Sequence, residues 1–94
     1  MWATTSMSDA ETAIQVLDTL KAAEQAPPQA ALPMLNRLVG LVQSGGAASL
    51  EVEEARASAF MAICEIGKAL HRGQSTDGLW SVAIDATERW KAAR

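Results

Sequence analysis

One helical period runs unbroken through the second half of the chain. At about 100° per residue, Val52, Ala55, Ala59, Ile63, Ile66 and Leu70 fall on one face. The run is about six turns long. Ser49 stands before it as an N-cap. Glu51, Glu53 and Glu54 lie at the end where the helix dipole favours negative charge. Lys68, His71 and Arg72 lie in the last turns, and Gly73 supplies a residue that tolerates positive φ as a stop. A one-sided helix of this length must bury its stripe against other elements. Those elements are also helices. Of 94 residues, 19 are Ala, none is Tyr and one is Phe, while Val, Ile and Thr together number 15. That balance favours helix over strand. The length allows one domain, because two would leave neither a workable core.

Three further helices flank this one. The first begins near Ser8, where Ser8 and Glu11 have the spacing of a capping box, and stops near Ala26 before Pro27-Pro28. Ala10, Ala13, Ile14, Leu17 and Leu20 are its expected core face. The second has a short first turn at Pro28 and a main body from about residue 31 to 44, because Pro33 interrupts the pattern. Leu32, Leu35, Leu38, Val39 and Val42 form one face, widened by Met34 and Leu41. So apolar a helix is expected to be the most buried of the four. Gly45-Gly46 ends it. The last helix starts near Ser75 to Asp77 and runs to about Ala92, with Leu79, Val82, Ala83, Ala86 and Trp90 facing the core. The expected fold is an all-α bundle of four helices joined by short loops, with antiparallel neighbours. Residues 1–7 read as a mobile N-terminal tail and 8–94 as a single helical domain, Trp2 being the one tail residue suited to docking.

Charge and composition exclude several classes of function. Eight Lys and Arg stand against eleven Asp and Glu, for a net charge of -3. A nucleic-acid domain usually carries a basic footprint. No apolar run approaches the roughly 18 residues that span a bilayer. Met1 to Ala10 lacks the positive and apolar regions of a secretory signal, and a lone Cys allows no internal disulfide. The expected setting is cytoplasmic.

Catalytic and metal chemistry find little support. Cys64 and His71 are seven residues apart on one helix, about 10.5 Å of rise, too far to share an ion or a proton. Glu51, Glu53 and Glu54 are accounted for by the helix dipole. The glycines make no phosphate-binding loop, and Ser44, Ser49 and Ser58 have no nearby His. No cofactor, no metal and no enzymatic activity are expected.

The informative residues are apolar ones beyond the core stripes. Phe60, Cys64, Gly67 and His71 make a second row on the third helix, with small residues at its middle where another helix can come close. Met61 lies further round and suits an adaptable contact. Trp80 and Ile84 lie about 100–140° from Leu79 on the last helix. Trp is favoured at interface hot spots. These seven residues are the candidate interface of a small non-catalytic protein-binding module, whether adaptor, accessory or inhibitor. Its partner is a protein of unknown identity or a second copy in a homodimer. The competing reading is a weakly DNA-binding, helix-turn-helix-like regulator that uses the last helix. Arg89, Lys91 and Arg94 favour it, while Asp77, Asp85 and Glu88 oppose it.

Overall fold

The computed structural model describes residues 8–43 and 49–94. Four helices follow one another: α1 (Asp9–Glu24), α2 (Pro28–Gln43), α3 (Leu50–His71) and α4 (Leu79–Ala92). The all-α class is therefore as the periodicities require. The expected tail (residues 1–7) and the Gly45-Gly46 stop lie outside the described residues.

Local chemistry sets most helix ends. The Ser8 hydroxyl accepts from the Glu11 amide, and the Glu11 carboxylate accepts from the Ser8 amide, closing the capping box. Ser49 caps α3 through the amide of Val52. At its far end Gly73, at φ 66°, donates to the Leu70 carbonyl, and Gln74 donates to that of Ala69. This is a Schellman stop, and its left-handed residue is the expected glycine.

Two boundaries differ from expectation. α2 is helical from Pro28 through Pro33. Ala30 and Ala31 both donate to the Pro27 carbonyl, so the first turn is already formed. Pro33 then removes only its bond to Gln29, one turn from the end, at an exposed residue. α4 starts at Leu79, later than Ser75 to Asp77. Ser75 Oγ accepts from the amide of Asp77, two residues on, which makes a local turn and caps no helix. Gly78, at φ 79°, then precedes the first helical residue.

Each helix packs against two others: α1 on α2 and α4, and α3 on α2 and α4. The starts of α1 and α3 meet the end of α4, because Asp9 contacts Arg56 and Trp90, and the Arg94 amide reaches Glu51. Leu32 shares a groove with His71, and Gln43 shares another with Glu53, so α2 and α3 are antiparallel as well. The ring is an up-and-down bundle.

One core cluster takes side chains from all four helices, including Leu20, Leu38, Ile63 and Trp90. The face expected for α3 is the observed one, with Ala69 added and with Ala55 and Leu70 half-buried. Three other faces need correction. α1 is rotated: Thr12, Ala13, Val16, Leu17, Leu20 and Ala23 are buried, while Ala10 is exposed and Ile14 is 46% exposed. The series through Val16 and Ala23 continues to the helix end, and the contacts of Asp9 with Arg56 and Trp90 hold that orientation. On α4, Val82 is 56% exposed and Thr87 is fully buried. The Thr87 hydroxyl donates to the Ala83 carbonyl at 2.8 Å, which makes its burial inexpensive. α2 is not the most buried helix. It leaves Leu32, Met34, Val39 and Leu41 half-buried, because its apolar face is wider than its contacts with α1 and α3.

Candidate functional site

The half-buried side of α2 faces the second row of α3. On α2, Leu32, Asn36, Val39 and Gln43 fall within about 60° of one another. On α3, Glu53, Ala57, Phe60, Cys64, Gly67 and His71 fall within about 80° of one another. The two rows border two open grooves along one seam. One groove, about 500 Å³, is lined by Leu32, Leu35, Asn36 and Val39 of α2 and by Cys64, Gly67, Lys68 and His71 among others of α3. The second, about 460 Å³, lies nearer the start of α3 between Val42, Gln43, Glu53, Arg56, Ala57 and Phe60.

The structure therefore brings together four of the seven candidate residues. Cys64, Gly67 and His71 line the first groove and Phe60 lines the second. Met61, 66% exposed, stands on the outer flank of the same helix. Trp80 and Ile84 are elsewhere. They are half-buried on α4, packed against the core, and border neither groove.

Residues from α2 complete the face. Leu32 and Val39 were expected in the core and are half-buried instead, while Asn36 is exposed beside them. The signal for them was the excess width of the apolar face of α2, which two neighbours cannot cover. Small residues keep the face open. A Cβ built at Gly67 would meet, beyond its own helical turn, no atom of the described residues within 4 Å, and the same holds at Gly40. Gly40 follows Val39 of one groove and precedes Val42 of the other.

The charges are divided along the seam. Glu53 marks one end, and Lys68, His71 and Arg72 mark the other. Lys68 also pairs with Glu65 at 3.3 Å, an exposed contact of little energetic weight. Arg56 is held by Asp9 at 3.0 Å, and both side chains are largely shielded from water.

Among the described residues, no group of three or more His, Cys, Asp or Glu side chains is placed to hold a metal ion. None of their helices is long and apolar enough to cross a membrane. No family model matches the chain, and neither the curated proteins nor the solved structures contain one that matches it.

Proposed function

We propose that the chain is a non-catalytic protein-binding module working in a cytoplasmic setting through the α2–α3 face. The supporting observation is the seam itself. Leu32, Val39, Phe60 and Cys64 form a half-buried apolar floor that no helix among the described residues covers. A face with small residues along its wall and apolar residues on its floor suits a helical surface laid against it. This narrows the sequence reading from two helices to one seam, because Trp80 and Ile84 border neither groove.

The DNA-binding reading has less support. Trp80 and Ile84, which would reach bases, pack inward, and Lys91 is paired with Glu88 at 3.0 Å.

A photo-crosslinking amino acid at Met61, compared with one at Ile14, tests the proposal in extract of the source cell. Adducts to a protein are expected from Met61, lost on Gly67→Gln, and absent from Ile14. Equal labelling from both positions, or none from Met61, would overturn it.

A further inference from the structure

We infer that the occupant of the α2–α3 face is a second copy of the chain, with α3 antiparallel to its counterpart and the two-fold axis passing between Phe60 and Cys64, at the level of Ala62 but on the opposite side of the helix from it. The inference rests on the binding reading above and specifies its partner.

The row on α3 is symmetric about Ala62. Phe60 and Cys64 lie two residues either side of it, Ala57 and Gly67 five, and Glu53 and His71 nine. In an antiparallel pair, residues equidistant from the crossing point meet. Phe60 then lies against Cys64 of the other copy, and Ala57 against Gly67. At both ends, about 13.5 Å from the centre, Glu53 meets His71, flanked by Lys68 and Arg72. Each end pairs a carboxylate with basic side chains. A two-fold axis needs a surface complementary to itself, and this face has that property in both size and charge.

Two mid-helix glycines support close approach. Gly lowers helix stability relative to Ala, yet a Cβ at Gly67 or Gly40 would meet, beyond its own helical turn, no atom of the described residues within 4 Å. Gly40, between the α2 residues of the two grooves, lies near the level of Ala62. The same axis stacks α2 on α2 there. Two symmetry-related like-charge pairs arise, since Arg56 and Lys68 are both six residues from Ala62. Arg56 is engaged inward with Asp9, which removes most of that conflict.

The area is adequate for a modest dimer. Helices of 16 and 22 residues are about 24 and 33 Å long and about 10 Å wide, offering about 600 Å² per copy. The total, about 1,200 Å², sits at the lower bound for specific interfaces. Self-association in the micromolar range follows.

Sedimentation equilibrium of the full chain from about 1 µM to about 1 mM covers that range. The wild type should pass from monomer to dimer. Glu53→Lys alone, and Lys68→Glu with His71→Glu, should each weaken self-association at least tenfold. An equimolar mixture of the two variants should recover dimer, because both ends of the mixed pair are complementary. Gly67→Gln should fold by circular dichroism and remain monomeric. A wild type that stays monomeric throughout overturns the inference. So does a dimer indifferent to both charge variants, or a mixture that does not recover. If the chain is monomeric but the Met61 adducts persist and depend on Gly67, another protein fills the groove and the binding module stands without its dimer. If both fail, the binding reading falls too.

Discussion

The indole Nε1 of Trp90 donates to the Oδ1 of Asp9 at 3.1 Å, joining the end of α4 to the start of α1. The same oxygen accepts from Arg56 at 3.0 Å. One carboxylate thus ties three helices at one end of the bundle. Trp90 is fully buried, and its N–H loses its protein acceptor if Asp9 is removed. Asp9→Ala should destabilise the chain by about 2 kcal/mol, the cost of a buried donor left without a partner and a cation left without its anion. Trp90→Phe should cost about as much through lost volume and the lost bond. In a double-mutant cycle by urea denaturation, the two changes should be non-additive by at least about 0.5 kcal/mol. Additive effects would mean that the contact contributes nothing in solution.

That contact also marks the boundary of what the sequence reveals. The capping box of Ser8 and Glu11 and the six-turn period of α3 are local patterns, and both form as written. Trp90 is buried as its spacing implies. The rotation of α1 is not local. Two interleaved stripes share Ala13, Leu17 and Leu20, and only Arg56 and Trp90, far along the chain, choose the one that buries Val16. Thr87 displaces Val82 for a similar reason, since residue hydrophobicity ignores a hydroxyl satisfied by a carbonyl one turn back. The row from Phe60 to His71 was visible as excess apolar surface. Its α2 wall was not, because periodicity gives the face of a helix and not the number of its neighbours.

Two glycines of α3 and its stop should respond oppositely to one substitution. Gly67 lies mid-helix with room for a Cβ, so Gly67→Ala should stabilise the monomer by about 0.5–1 kcal/mol. Gly73 is held at φ 66°, where a Cβ is strained, so Gly73→Ala should destabilise by about 1 kcal/mol. Thermal unfolding at a concentration that keeps the chain monomeric reads both signs. A loss of stability at Gly67 would mean that the seam is already closed within one chain.

The capping box carries a pH dependence of known sign. The Ser8 amide, and then its hydroxyl, donate to Glu11 and hold its carboxyl below the ordinary value of 4.5. A carboxyl depressed on folding adds stability above its unfolded pKa and loses it as pH falls through the folded one. Stability from this pair is therefore complete near neutrality and disappears in acid. A carbon-detected NMR titration should place the Glu11 midpoint below that of an unstructured peptide of the same sequence. Ser8→Ala should move it back up. A midpoint equal to that of the peptide would show the box to be open in solution.

Met61 and Trp80 separate surface from core. Met61 is 66% exposed beside the seam, whereas Trp80 is half-buried against the core. Met61→Ala should change unfolding stability by less than about 0.5 kcal/mol. It should weaken occupancy of the α2–α3 face, though by less than truncation of Phe60, because Met61 stands at the rim and borders neither groove. Trp80→Ala should do the reverse, costing about 2–3 kcal/mol of stability while leaving association of the folded fraction unchanged. Ile63→Ala calibrates the comparison, because Ile63 is almost completely buried and its truncation should cost at least as much as that of Trp80. Denaturation and sedimentation of the same three variants give both quantities. If Trp80→Ala abolishes association without loss of stability while Met61→Ala changes nothing, the working surface lies on α4, and the α2–α3 seam is only an uncovered edge of the bundle.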